Sequence, residues 1–167
     1  MTRNKPSDTP FAGRGNSPNS VDEQADDRRE VLNLVTQETR FILIQNIVAH
    51  PEGMPSLKEI VYANPSKSKS TIRNHLDKLM DAGIVEGVEL PKDERQRDLP
   101  YRFYQLTQDG QNLLEKYDLL RAEETLQEMH SMLEKTPQIQ KYMDAPRPGD
   151  FQDDAQDEDN SRRLIEQ

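Results

Sequence analysis

The chain has 167 residues, 32% of them hydrophobic and 32% charged, with 31 acidic against 22 basic side chains and a net charge of −9. That composition allows one modest core with polar extensions rather than two full domains. The absence of cysteine excludes disulfides, zinc–thiolate sites and thiol redox chemistry, and no apolar run nears the roughly 20 residues of a membrane span, so a cytoplasmic protein is expected.

Met1 to Asp27 is rich in Pro, Ser, Asn and Gly and lacks the apolar content of a core. A disordered tail over residues 1–27 is expected, with Arg3, Lys5 and Arg14 either solvated or forming a short arm. From Arg28 to Ala49, Val31, Leu34, Val35, Phe41, Ile42, Ile44, Ile47 and Val48 recur at three- and four-residue intervals, as on the buried face of a helix. Thr36 either caps a fresh helix or sits inside a continuous one. Pro51, Gly53 and Pro55 end this scaffold element.

Ser56-Leu57-Lys58-Glu59 is a capping box, in which serine and the glutamate three residues later satisfy each other's free backbone donors. Pro65 stops the helix that follows. A second helix over residues 68–82 carries Ile72, Leu76, Leu79 and Met80 at helical spacing and closes at Gly83. Its early turns expose Lys69, Ser70, Thr71, Arg73 and Asn74, with no acid between Lys67 and Asp77. Ile84–Leu90 and Tyr101–Leu106 read as paired strands, and residues 91–100 between them are too polar and proline-flanked for a core. Residues 56–106 hold nine Lys and Arg against eight Asp and Glu, whereas residues 107–167 are strongly acidic.

Thr107 is an N-cap, and Gln111 to Glu134 reads as one helix with few breakers. Leu119, Ala122, Leu126, Met129 and Leu133 step by three and four, the seam of a helix that pairs with another helix. An intramolecular face and a dimer interface both fit, and a homodimer is the expectation carried forward. Ile139, Tyr142 and Met143 suggest one more short helix. Residues 144–167 lose apolar content, and Asp150 to Asp159 holds six acids, so an acidic disordered tail is expected.

With these residues in view, the chain resembles the winged helix-turn-helix regulators of the ArsR and MarR-like kind. The resemblance is carried by Ser70-Thr71-Ile72-Arg73-Asn74-His75-Leu76-Asp77-Lys78-Leu79, by Asp81-Ala82-Gly83-Ile84-Val85, and by Tyr104-Gln105-Leu106-Thr107-Gln108-Asp109-Gly110. It spans roughly Val31 to Pro148. Haloarchaeal winged-helix regulators have a similar helix after the wing and an ending similar to Ala145-Pro146-Arg147-Pro148. The resemblance implies a mainly α fold with a small β-hairpin wing (α+β), a DNA-binding domain over residues 28–106, and a C-terminal helical dimerisation segment over 107–143. It also implies a homodimeric, sequence-specific regulator of double-stranded DNA. An acid-rich surface is what a salt-rich cytoplasm favours, so a halophilic protein is expected, and the resemblance implies an archaeal one.

The residue chemistry agrees with duplex reading. Arginine pairs with guanine and asparagine with adenine in the major groove, which makes Arg73 and Asn74 the base readers, with Ser70 and Thr71 beside them. Lys67 and Lys69 are placed to hold phosphates. Lys92, Arg95 and Arg97 lie on the wing, where the resemblance implies minor-groove or backbone contacts. The alternative is a winged helix used as a protein-interaction module in a transcription or replication assembly. His50, His75 and His130 lack metal-ligand spacing, and no phosphate loop or nucleophile–base pair is present, so no metal, cofactor or enzymatic activity is expected. Whether a small effector binds is left open.

Overall fold

The structure is a computed structural model that describes residues 18–120 and 123–149. Arg3, Lys5 and Arg14 of the expected N-terminal tail and the acids of Asp150–Asp159 lie outside the described residues. Within them the chain forms seven helices and a two-stranded hairpin, the winged-helix arrangement expected from the sequence. No described helix is long and apolar enough to cross a membrane.

α1 spans Pro18–Thr36, so helix begins inside the segment expected to be a tail. Proline suits a first helical position, and Glu23, Gln24, Ala25 and Arg28 are good helix formers with no breaker among them. Residues 21–30 are all exposed, and burial starts only at Val31. α2 spans Glu38–Ala49, and the break falls at Gln37, whose side chain accepts from the Arg40 N–H at 3.0 Å. Thr36 instead donates back to the Leu32 carbonyl at 2.6 Å, the back-bonding a threonine makes inside a helix. α2 buries Leu43, Ile44, Ile47 and Val48 and touches α1, α3, α4, α6 and the hairpin, which makes it the axis of the core.

α3 spans Leu57–Ala63 and opens on the expected capping box, with the Ser56 N–H donating to Glu59 Oε2 at 2.6 Å. α4 spans Lys69–Asp81, capped by Ser68 and buried through Ile72, Leu76 and Leu79. Gly83 adopts φ +72, and the N–H groups of Gly83 and Ile84 close back on the carbonyls of Met80 and Leu79 at 3.0 Å each. This left-handed closure turns the chain straight into the wing.

β1 (Val85–Glu89) pairs antiparallel with β2 (Arg102–Leu106), from Val85↔Leu106 to Glu89↔Arg102. Successive strand side chains face opposite sides, yet Phe103 and Tyr104 are both buried, so the base of the hairpin is covered on both faces. Tyr104 faces the core, and its N–H extends the sheet edge by donating to the Pro55 carbonyl at 3.0 Å. Phe103 is covered by Arg147.

α5 spans Gln108–Lys116 and starts at the expected N-cap, Thr107, whose hydroxyl also donates to the Gly83 carbonyl at 2.5 Å. Gly110 is buried with its Cα against the Ile84 backbone, where any Cβ would collide, so α5 is pressed on the root of the wing. The single helix expected from Gln111 to Glu134 is instead two. α5 ends at Tyr117, Asp118 takes φ +57, and α6 (Glu123–Met132) runs separately across α2. The stop lets Leu119 and Leu120 pack on the core, and that burial outweighs continuing a helix into solvent. α7 (Pro137–Met143) is the expected short helix, capped by Thr136 and packed on α3.

The segment after Asp144 departs most from the tail expected there. Ala145 is buried, and Arg147 is fully buried. The Arg147 guanidinium donates to both carboxylate oxygens of Glu59 at 2.9 Å and to the carbonyls of Tyr142, Met143 and Ala145 at 2.9, 2.9 and 2.6 Å. Its Nε reaches the Met54 carbonyl at 3.2 Å, and its plane lies over the Phe103 ring, 4.7 Å from the centroid. The C-cap of α2, His50, is also buried, with Nε2 3.0 Å from Glu59. Its Nδ1 accepts from the Glu52 N–H at 3.2 Å, which leaves the proton on Nε2, facing the carboxylate.

Burial by itself would raise the Glu59 pKa, but the hydrogen bonds from His50 and Ser56 and the charge of Arg147 hold it below the ordinary 4.5. A carboxyl whose pKa is depressed on folding stabilises the fold above its unfolded value and loses that contribution as pH falls through the folded one. Arg147→Ala therefore strands a buried carboxylate and is expected to cost about 3–5 kcal/mol in urea unfolding at pH 7. Glu59→Gln is expected to flatten the loss of stability below about pH 4.5, measured as the unfolding midpoint against pH.

Candidate nucleic-acid interface

Helical geometry decides which side chains of α4 project. At about 100° per residue, burial of Ile72, Leu76 and Leu79 turns Ser70, Arg73, Asn74 and Asp77 outward, and all four are exposed. Among the described residues Lys69, Arg73, Asn74 and Asp77 make no hydrogen bond or ion pair through their side chains, so these groups are available to a ligand. The Ser70 and Thr71 hydroxyls are partly engaged, lying 3.1 and 2.8 Å from Ser68 Oγ at the cap. Lys67 is half-buried in the turn before α4.

The wing rises beside this helix. Between them lies a cleft of about 570 Å³, walled by Lys69, Arg73 and Asp77 of α4, by Asp98–Arg102 and Tyr104 of the hairpin, and by Ser56–Lys58 at the start of α3. Arg73 and the wing thus share one open face. Lys58 and Arg102 also line the cleft, where sequence reasoning did not place them, with the Lys58 ammonium donating to the Tyr142 hydroxyl at 3.0 Å and Arg102 lying 3.9 Å from Glu89. Their signal lay in strand alternation, which sets Arg102 beside Tyr104, and in the turn that returns the first residues of α3 to the wing.

The three wing cations behave differently. Lys92 and Arg97 are exposed. Arg95, expected at the tip as a contact, is folded back, donating to the Leu90 carbonyl at 2.9 Å and to Glu89 at 3.1 Å and stacking 4.1 Å from the Tyr101 centroid. The loop needs this brace because strand pairing ends at Glu89↔Arg102, leaving few backbone bonds of its own.

On the other flank of α4, Arg40 Nη1 lies 3.5 Å from His75 Nδ1. Burial, then the charges of Arg40, Lys78 and Lys67, hold the His75 pKa below the ordinary imidazole value, so its ring is neutral at pH 7. His130 is half-buried with its ring edge-on to His50 at 5.9 Å, and burial lowers its pKa. No group of three metal-binding side chains occurs among the described residues.

The expected helical seam is divided. Leu119 packs half-buried on the core, Ala122 and the Leu126 side chain lie outside the described residues, and Met129 and Leu133 are 62% and 53% exposed at the end of the chain's sixth helix, with Met132 at 79% beside them.

Two solved structures are similar to the chain. A protein with a GntR-superfamily winged-helix-turn-helix domain from Halomicrobium mukohataei is 30% identical, with a TM-score of 0.69 over 84% of this chain and 97% of that one. The transcriptional repressor BigR from Xylella fastidiosa is 20% identical, with a TM-score of 0.44 over 65% of this chain and 97% of that one. No family model and no curated protein matches the chain.

If Arg95 braces the wing, Arg95→Ala should speed amide hydrogen exchange at Leu90, Glu94 and Leu99, whose N–H groups bond within the hairpin and its loop. Arg97→Ala should leave those rates unchanged.

Proposed function

The chain belongs to the winged-helix-turn-helix proteins of the GntR superfamily, and on that footing we propose that it is a cytoplasmic, sequence-specific regulator that binds double-stranded DNA as a homodimer. The observation that carries the proposal is the outward face of α4. There Arg73 and Asn74, a guanine-type and an adenine-type reader, are both exposed and without side-chain partners among the described residues, and Arg73 lines the cleft beside the wing. Lys67, Lys69, Lys92 and Arg97 are assigned to phosphates, Ser70 and Thr71 to bases or phosphate, and Arg95 to the shape of the wing. The acidic body suits a salt-rich cell, and the relative from Halomicrobium mukohataei supports that setting. In such a cell counterion release drives binding weakly, which gives base contacts a larger share.

Dimerisation is assigned to the exposed end of α6, because Met129, Met132 and Leu133 each keep more than half of their apolar surface exposed. Met129→Asp with Leu133→Asp should shift the particle in light scattering from dimer to monomer mass. An unchanged mass would remove this face from the interface.

Duplexes selected from a random pool, followed by mobility shift, test the main claim. Arg73→Ala and Asn74→Ala should each weaken selected sites by about 5- to 150-fold, with little change on unrelated duplex. Equal binding by all three proteins would favour the protein-interaction module instead.

A further inference from the structure

Asp77 has no place in a scheme of phosphate grips and cationic readers, yet it sits on the reading face. It follows Arg73 by one helical turn, about 6 Å along the axis, and lines the same cleft. Its carboxylate makes no hydrogen bond or ion pair among the described residues, and an arginine preceding an acid by four is the poorer order for a helix-surface pair. A bare carboxylate beside DNA phosphates is repelled unless it meets a donor.

From this placement, and resting on the duplex-reading assignment above, we propose that Asp77 is a specificity-determining residue that accepts a hydrogen bond from the N4 amino group of cytosine in the major groove. An ionised carboxylate only accepts. Guanine presents two acceptors there, thymine an acceptor and a methyl group, and adenine a donor flanked by the N7 acceptor. Cytosine alone offers a donor without an adjacent acceptor. Arg73 and Asp77 then form a bipartite reader: guanine under the first, cytosine within about two base steps under the second, the separation being set by the helical rise against the 3.4 Å base step.

The experiment is selection from random duplexes with the full chain, its Asp77→Asn and Asp77→Ala variants, and Asp98→Asn as a control that removes the same charge from the opposite wall of the cleft. Asp98 has φ +67, which asparagine also tolerates. Wild type should select cytosine at one fixed position in each half-site. Asp77→Asn should move that position toward adenine, since an amide pairs with adenine N6 and N7, changing the cytosine-to-adenine ratio by about tenfold or more. Asp77→Ala should lose the preference, and Asp98→Asn should raise affinity for all duplexes alike. The proposal is overturned if the wild-type site lacks that cytosine, or if Asp77→Asn keeps the wild-type base frequencies while binding every duplex more tightly. Should wild type select no sequence at all, the regulator assignment itself fails.

Discussion

A fully buried arginine near the described C-terminal end binds together parts of the chain that are far apart in sequence. Arg147 meets a carboxylate already committed to capping α3, three carbonyls at the end of α7, the Met54 carbonyl, and the face of Phe103 in the wing. An unpaired guanidinium or carboxylate in that interior would cost several kcal/mol, so the arrangement is close to all-or-none. With both partners present, α3, the hairpin and α7 are clamped to one another, and the direction from which the wing leaves the core is set.

Glu59 shows how one side chain can serve two levels of structure. Locally it completes a capping box, and in three dimensions it receives His50 from the end of α2 and Arg147 from beyond α7. The start of α3, the helix that precedes α4, is thereby fixed to the C-terminal end of the central helix. Gly110 does the corresponding work on the other side, letting α5 press on Ile84 at the hairpin root. The wing is thus held from both sides at its base and is free only toward its tip.

In an acidic protein the few cations are divided by task. Arg40, Arg95 and Arg147 direct their donors to carbonyls and carboxylates of the chain itself. Lys69, Arg73 and Arg97 stay exposed. The positive character of the candidate interface therefore comes from side chains left without internal partners on one helix face and one loop, rather than from net charge. Asp77 and Asp98 in the same cleft temper it, and a mixed surface of this sort favours discrimination over nonspecific attraction to phosphate.

Features that depend on neighbours in the chain could be read from the residues alone. The Ser56–Glu59 box, the stop at Pro65, the Ile72–Leu76–Leu79 stripe that turns Arg73 and Asn74 outward, the closure at Gly83 and the cap at Thr107 all satisfy backbone donors or bury side chains within one or two turns, so local sequence suffices to specify them. Only the tertiary structure decided the break after Tyr117, the burial of Arg147, the folding of Arg95 back from the wing tip and the entry of Lys58 and Arg102 into the cleft. Each of these depends on a partner brought close by folding, whether a distant carboxylate, an aromatic face or a gap in the core. The energy of such a contact is set by the distance and solvent exposure of its partners, which the order of residues along the chain does not carry.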